Sequence, residues 1–504
     1  MKQQAIIGID IGTTSTKAVA FSFTGKELFQ YAVTYPINKP QPAYAEQDPE
    51  LIFQAVLTTL KSVIALLQNG DFVLRGVSFS SAMHSLIAMD ASGNNLTNSI
   101  IWADARSINQ AQRLRNSSIG YDIYLHTGTP IHAMSSLTKI CWLREMQPAI
   151  FEQIAKFIGI KEYVFYRLYG KYKIDYSIAS ATGLFNIFTH QWHSDSLSFA
   201  GITPDKLSEP VLPTYTFRGM HTHFANELCI DTDLPFVIGA SDGCLANLGT
   251  NAVNEGDAVI TIGTSGAMRV IADNPVTDKG ERIFSYILTP EKYVLGGAVN
   301  NGGIVLQWFQ RNFYQADSEA IKGGKEHIFE LLNTEAASVK PGADGLIFLP
   351  YLLGERAPIW DATAKASFCG IDITHTRAHF LRALMEGVIF GIYSVGKALE
   401  QTVGPVKVIY ANGGFTKSEV WVQILADVFN VKVHVTDTAE GSALGAAILG
   451  MKSLGVLDRL ADAQNLISIK KTYLPDPEAH NVYSKNYAVF EKLYPSIKDA
   501  FNKD

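Results

Sequence analysis

A carboxylate followed by a Gly/Thr/Ser turn is the strongest chemical signal in the sequence. Asp10 closes an apolar run, and the residues that follow it include Gly12, Thr13, Thr14, Ser15 and Lys17. Glycine lets the backbone approach a ligand closely. Backbone N–H groups, hydroxyls and a lysine can donate to phosphate oxygens, and a carboxylate can hold a Mg²⁺ ion that shares those oxygens. The alternative is a hairpin turn that binds nothing.

A second turn of this kind lies in the other half of the chain. The apolar run Val259–Ile262 leads into Gly263, Thr264, Ser265 and Gly266, and a further apolar run follows. Two strand–turn–strand units predict two similar domains that bind one nucleotide. The boundary is expected near residue 250, with one domain at 1–248 and the other at 249–504.

Predicted strands and helices position the other polar residues that could take part in binding or catalysis. Asp48-Pro49 predicts a helix start, because Asp caps helices well and Pro suits the first helical position. Apolar runs end just before Met83-His84, before Asp242 and before Gly413-Gly414, and a helix is expected to start after Ser418. Alternating strands and helices predict an α/β fold.

Composition limits the classes of function. The 504 residues are 47% apolar, the net charge is −6 and there is no basic run, so nucleic-acid binding is not expected. The four cysteines lack metal-finger spacing. The N-terminus lacks signal-peptide character, and apolar runs such as 345–354 are too short to span a bilayer. A soluble cytoplasmic protein without a membrane partner is expected; a homodimer is left open.

With these features in order, the chain resembles the FGGY carbohydrate kinases, relatives of actin, Hsp70 and hexokinase. The resemblance covers the chain nearly end to end and includes two long family patterns, Met134–Glu145 and Ala366–Glu386. It implies a two-domain, actin-like (ribonuclease H-like) fold with a nucleotide and substrate cleft between the domains. It also implies that ATP and Mg²⁺ are the cofactors.

Several segments are similar to the gluconokinase branch of this family. They are Phe79–Ser85, Ile101–Arg106, His126–His132, Val237–Gly243 and Asn300–Leu306. The branch implies phosphorylation of D-gluconate to 6-phospho-D-gluconate. The alternatives are a xylulokinase or another sugar or sugar-acid kinase, and, outside catalysis of this type, a nucleotide-driven conformational protein like actin or Hsp70. A transcriptional regulator would need a DNA-binding element that the sequence lacks.

The resemblance assigns roles to individual residues. Asp242 would be the general base, with a helix N-cap as the alternative, and Asp10 would position Mg²⁺ or orient the attacking hydroxyl. The residues implied in nucleotide binding are Gly12, Thr13, Thr14, Ser15, Lys17, Gly263, Thr264, Gly303, Gln307, Gly414 and Ser418. Those implied in substrate binding are Met83, His84, Asp104, Arg106 and Asp242.

Two ambiguities stay open at this level. Trp102, Asp104 and Arg106 could line the sugar pocket or brace the domain. The gluconate carboxylate needs a cation or a cluster of donors, and the candidates are Arg106, Lys139, Arg356 and His84. By contrast, the P-loop-like segment 391–398 lacks the terminal Ser/Thr and lies in an apolar stretch, so helix packing is predicted there.

Overall fold

Two mixed β-sheets with helices form the computed structural model, which describes residues 2–314, 324–437 and 440–501. The first sheet has the strand order Thr216–Phe217, Phe236–Ser241, Phe72–Ser81, Gln3–Ile11, Ser15–Ser22, Glu27–Thr34. The second has the order Phe284–Thr289, Lys292–Val299, Gly266–Ala272, Asp257–Ile262, Val408–Asn412, Val433–Thr436, Ile469–Tyr473. Short strand pairs complete the β-structure: Glu46–Gln47 with Ser99–Ile100, Ile87–Met89 with Lys156–Ile158, Lys173–Asp175 with Glu209–Val211, Phe185–Asn186 with Gln191–Trp192, and Ile347–Leu349 with Ser367–Cys369.

The helices account for most of the remaining described chain. The α-helices are Pro49–Asn69, Ile108–Arg115, Ser118–Thr127, Ser136–Met146, Pro148–Phe151, Ile160–Tyr169, Tyr176–Ser180, Ser194–Ala200, Thr222–Leu228, Asp242–Leu248, Gly303–Phe313, Gly324–Ala337, Arg377–Val403, Glu419–Phe429, Gly441–Ser453 and Pro477–Phe501. The 3₁₀ helices are Pro204–Lys206, Ala343–Gly345, Gly414–Lys417 and Leu460–Leu466.

Both sheets contain the same strand connectivity. Gln3–Ile11 pairs antiparallel with Ser15–Ser22 and parallel with Phe72–Ser81, which in turn runs parallel to Phe236–Ser241. Likewise, Asp257–Ile262 pairs antiparallel with Gly266–Ala272 and parallel with Val408–Asn412, which runs parallel to Val433–Thr436. The predicted α/β class and the domain-scale repetition are therefore confirmed.

Packing divides the chain into two units. The first comprises Met1–Asn254, Ile271–Val294 and Glu440–Ile467, and the second comprises Glu255–Val270, Leu295–Ala439 and Ser468–Asp504. The first crossing lies close to the predicted boundary near residue 250. The segments Ile271–Val294 and Glu440–Ile467 also belong to the first unit, which differs from the predicted single boundary between 1–248 and 249–504. The difference arises because a unit is defined by contacts in space and not by position in the chain.

Packing on the first sheet explains why the segment Glu440–Ile467 belongs to the first unit. On one face of strand Gln3–Ile11, Ile7 and Ile9 pack with the helix Pro49–Asn69, while Ile6 on the other face packs with the helix Gly441–Ser453. This alternation is the period of a β-strand buried on both faces. The second helix lies so close that a Cβ at Gly8 would be 2.0 Å from the Ala443 carbonyl oxygen.

Two helices are long and apolar enough to cross a membrane by length and composition alone. In Pro49–Asn69 and Arg377–Val403, 56% and 72% of the most apolar window is buried. Burial of this kind is typical of core helices. The P-loop-like segment lies inside Arg377–Val403, which confirms the prediction of helix packing there.

Candidate active site

Three parallel strands of the first sheet end at the same edge. Gln3–Ile11, Phe72–Ser81 and Phe236–Ser241 are in register at their carboxyl ends, where Ser81 pairs with both Ile11 and Ser241. Asp10 lies at the end of the first strand, and His84 and Asp242 lie just beyond the other two. In open α/β sheets, ligands bind at this edge. The fold thus brings together three of the predicted residues.

Asp10 lies in an electronegative pocket. Its Oδ1 accepts a hydrogen bond from Ser80 Oγ at 2.8 Å. Burial, the Asp242 carboxylate and the Glu440 carboxylate raise the pKa of Asp10 to about 6, while the Ser80 hydrogen bond and Lys17 act in the opposite direction. Three carboxylates that interact with one another and a single lysine leave this site negatively charged, and a divalent cation would neutralise that charge. Hard cations such as Mg²⁺ prefer oxygen ligands of this kind.

Glu440 is the member of this group that the sequence alone did not indicate. It immediately precedes the helix Gly441–Ser453, and its Oε1 lies 2.6 Å from Lys17 Nζ. Lys17, predicted to bind phosphate, therefore has a carboxylate partner within the first unit. The only sequence signal was an acidic residue before a helix of small residues, which does not identify a partner.

Asp242 is the first residue of the helix Asp242–Leu248, and its Oδ1 accepts from the Gly243 N–H at 2.6 Å. The N-cap position belongs to Ser241. The backbone before Asp242 is fixed from two directions. Buried Lys161 donates to the Ala240 carbonyl at 3.0 Å, and the Ser241 N–H donates to Ser177 Oγ at 3.1 Å. The carboxylate is thus presented on a rigid support, where it remains partly exposed.

Lys139 supports the segment that carries Met83 and His84. His84 has a positive φ of 67°, which is uncommon for a residue other than glycine. The Lys139 ammonium is fully buried and donates to the carbonyls of His84 (2.5 Å), Ile101 (2.9 Å) and Ile100 (3.1 Å). Burial lowers the pKa of Lys139 to about 7. These contacts make Lys139 a positioning residue rather than a partner for a ligand carboxylate.

Asp104 and Arg106 form a buried ion pair. The Arg106 guanidinium donates to both Asp104 oxygens and to Glu46, and it lies 3.8 Å from the centre of the Tyr44 ring. Asp104 also accepts from the Ala45 N–H at 2.6 Å. These partners favour the bracing alternative for both residues over direct contact with a substrate.

Each of the two Gly/Thr turns is closed by a backbone hydrogen bond. The Gly12 N–H donates to the Ser15 carbonyl at 2.9 Å, and the Gly263 N–H donates to the Ser265 carbonyl at 2.9 Å. Trp102, the third residue that could line the sugar pocket or brace the domain, donates from Nε1 to Thr13 Oγ1 at 2.8 Å. Thr14 and Thr264 are exposed, so both turns can present hydroxyl and N–H groups to a ligand.

The second unit contains a cavity of about 760 Å³. It is lined by Ile262, Gly263, Thr264, Gly303, Leu306, Gln307, Gln310, Arg311, Phe329, Leu332, Gly414, Phe415 and Trp421. Apolar and aromatic walls with glycine backbone on one side suit a flat base and its phosphates. Gly303 must be glycine here, because a Cβ would lie 2.6 Å from the Gly263 carbonyl oxygen.

Most of the predicted nucleotide residues of the second unit meet in this cavity. They are Gly263, Thr264, Gly303, Gln307 and Gly414. Ser418 is not among the lining residues; it is fully buried, and its Oγ accepts from the Trp421 N–H at 3.2 Å as a helix cap. Gly12, Thr13, Thr14, Ser15 and Lys17 lie in the first unit.

The raised pKa of Asp10 gives a test of its environment. An acid whose folded pKa lies above its unfolded pKa of 3.8 destabilises the fold above about pH 6, and this cost disappears as the pH falls below about 4. Without metal, Asp10→Asn should therefore raise Tm at about pH 8. The corresponding gain in the free energy of unfolding is at most about 3 kcal/mol. The gain should shrink as the pH falls through 6.

Differential scanning calorimetry in chelator-treated buffer would measure this effect, with the exposed Asp71→Asn as the control. Added Mg²⁺ should stabilise the unsubstituted protein more than Asp10→Asn. An Asp10→Asn variant that is less stable than the unsubstituted protein at about pH 8 without metal would contradict the carboxylate cluster.

Comparisons with known proteins find similar sequences and structures over nearly the whole chain. The model of the N-terminal domain of the FGGY family of carbohydrate kinases matches residues 5–249, and the model of the C-terminal domain matches residues 258–454. The chain is 44% identical over 499 residues to a gluconokinase of Bacillus licheniformis, covering 99% of this chain and 97% of the relative. It matches the crystal structure of gluconate kinase from Lactobacillus acidophilus with a TM-score of 0.93 at 35% identity, covering 98% of both chains. A ligand-bound xylulose kinase from Lactobacillus acidophilus also matches with a TM-score of 0.93 at 35% identity, covering 99% of both chains.

Proposed function

This chain belongs to the FGGY family of carbohydrate kinases, and from that premise we propose that it phosphorylates D-gluconate with ATP to give 6-phospho-D-gluconate. The observation that supports this substrate most strongly is the 44% identity to a gluconokinase over nearly the whole of both chains. The equal structural match to a xylulose kinase makes xylulose the main rival.

The proposed reaction is an in-line phosphoryl transfer. A substrate hydroxyl oxygen attacks the γ-phosphorus of ATP, the bond from that phosphorus to the β,γ-bridging oxygen breaks, and ADP leaves. Asp242 accepts the hydroxyl proton. Support for this role comes from its place at the end of a parallel strand, its partial exposure and its rigid backbone.

The negative charge around Asp10 fits the Mg²⁺ that this reaction requires. Asp10 would hold the ion, and Asp242 and Glu440 would lie close enough to add negative charge. When bound, Mg²⁺ neutralises charge on the phosphate oxygens. Ser80 orients the Asp10 carboxylate by its hydrogen bond, and Lys17 limits the net negative charge of the site.

The cavity of the second unit is the proposed site for the nucleotide. Its aromatic and aliphatic residues Phe415, Trp421 and Leu306 would enclose the base. Gly263 and Thr264 would offer backbone N–H and hydroxyl donors to the phosphates, in the way proposed for Thr13 and Thr14 of the first unit.

The contacts of the basic candidates narrow the choice for the gluconate carboxylate. Arg106 is neutralised by Asp104 and Glu46, and Lys139 is bonded to three carbonyls. We keep His84 as the proposed partner in the first unit because it lies just beyond the end of the strand Phe72–Ser81, at the sheet edge that also carries Asp10; Arg356 belongs to the second unit. A cytoplasmic location, a homodimer and the lack of nucleic-acid or membrane partners stay predictions.

Substrate preference tests the proposal directly. We expect kcat/KM for D-gluconate to exceed the values for D-xylulose and glycerol by at least about tenfold, equivalent to about 1.4 kcal/mol of transition-state binding. A coupled assay of ADP release over a panel of sugars and sugar acids would measure it. Xylulose or glycerol as the better acceptor would refute the gluconate assignment. ADP release that no acceptor accelerates would favour the nucleotide-driven conformational protein.

A further inference from the structure

Three potential metal ligands that the proposed reaction does not use lie together in the first unit. Asp122 and His126 are one turn apart on the helix Ser118–Thr127, and His193 lies between the strand Gln191–Trp192 and the helix Ser194–Ala200. One ligand atom from each residue lies within 4.8 Å of the other two. Among residues 2–314, 324–437 and 440–501, this is the single such group of His, Cys, Asp or Glu side chains.

Each of the two imidazoles has a polar neighbour at Nδ1. Their rings stack with centroids 5.1 Å apart and planes 20° apart. His126 Nδ1 lies 2.9 Å from the Asp122 carbonyl oxygen, and His193 Nδ1 lies 2.9 Å from Ser196 Oγ. A ring whose Nδ1–H is bonded to a carbonyl keeps the Nε2 lone pair for a metal. Metal-ligating histidines commonly have such a partner on the second nitrogen.

Charge and access also suit a cation. Asp122 supplies a negative charge next to both rings. The Asp122 and His126 side chains are 48% and 43% exposed, so an ion can enter and water can complete its coordination shell.

We propose that Asp122, His126 and His193 bind one late transition-metal ion such as Zn²⁺ and thereby tie the helix Ser118–Thr127 to the start of the helix Ser194–Ala200. Ligand atoms around tetrahedral zinc lie about 3.3 Å apart at the usual bond lengths. Rotation of the two exposed side chains would close the present separation. Imidazole favours zinc, copper, nickel and cobalt, whereas Mg²⁺ prefers oxygen ligands, so this site differs in chemistry from the one at Asp10.

Cobalt(II) binding to the full-length, chelator-treated protein tests this proposal. In the presence of millimolar Mg²⁺, we expect one Co²⁺ per chain with visible d–d absorption, and displacement of that ion by Zn²⁺. His126→Ala should weaken Zn²⁺ binding, measured by calorimetry, by at least about tenfold. Asp122→Asn should weaken it in the same direction and serves as an independent second variant.

The matched control is His223→Ala. His221 and His223 also form a stacked pair, with centroids 6.2 Å apart, but within the described part of the chain no third His, Cys, Asp or Glu ligand joins them. This substitution should leave Zn²⁺ and Co²⁺ binding unchanged. The proposal is overturned if no Co²⁺ spectrum develops, if folded His126→Ala and Asp122→Asn retain full Zn²⁺ affinity, or if His223→Ala weakens binding as much as they do.

Discussion

Asp242→Asn should bind ATP and gluconate and yet transfer phosphate very slowly. An amide cannot accept the proton of the attacking hydroxyl, and general-base catalysis contributes about 10²–10⁴-fold. We therefore expect kcat to fall by that factor with little change in KM or Tm. The Asn side-chain oxygen can still accept from the Gly243 N–H, so the start of the helix should survive. Steady-state kinetics and calorimetry measure these quantities.

Glu440→Gln is the matched control for the charge that Asp242→Asn removes. It also neutralises a carboxylate near Asp10 but removes no proposed proton acceptor. Its kcat should fall less than that of Asp242→Asn. Near-normal kcat in Asp242→Asn would leave Asp242 without a catalytic role. Asp10 would then be the next candidate base, because Asp104 is already paired with Arg106.

Gly414→Val should abolish most nucleotide affinity in a folded protein. A Cβ at Gly414 would meet no atom within 4 Å, and Gly414 lines the cavity of about 760 Å³. The new side chain therefore has room to enter space proposed for ATP. We expect the Kd for ATP to rise by at least about tenfold, or about 1.4 kcal/mol, with Tm nearly unchanged. Titration calorimetry and thermal melting check both parts.

Gly266→Val is the contrasting variant. A Cβ there would lie 2.8 Å from Val299 Cγ2 and 3.3 Å from Ile392 Cδ1, so the substitution crowds the apolar interior. It should lower Tm. Unchanged ATP affinity in a folded Gly414→Val would exclude this cavity as the nucleotide site.

Local sequence was sufficient for the elements that present the chemistry. Apolar runs that end in Asp10, Asp242 and Gly263 predicted strands. The last residue of such a strand lies at the carboxyl end of the sheet, and this placement does not depend on distant parts of the sequence. Asp48-Pro49 predicted the start of the helix Pro49–Asn69, where the Asp48 side chain accepts from the Glu50 N–H. These features depend on neighbours in sequence, so they can be read without a structure.

Tertiary structure decided which polar groups are available to a ligand. Lys139 and Arg106 look like free cations in the sequence, but carbonyls and carboxylates from distant segments engage them. Ser418 likewise donates from its Oγ to the side-chain oxygen of Asn333, far away in the sequence. A hydrogen-bond partner far along the chain leaves no local signal, and burial without such partners would be costly. The sequence could therefore nominate these residues but could not assign them.

The sequence by itself determined the family, the α/β class and the strand ends that carry Asp10 and Asp242. Only the tertiary structure brought Glu440 to Asp10, from the opposite end of the chain. That approach depends on the helix Gly441–Ser453 packing against the strand Gln3–Ile11, where Gly8 offers no Cβ to the Ala443 carbonyl. The physical reason is that the end of a strand follows from the backbone preferences of neighbouring residues. Distant carboxylates meet only because apolar faces of separate elements are buried against each other, and the local sequence does not show which faces will pack together.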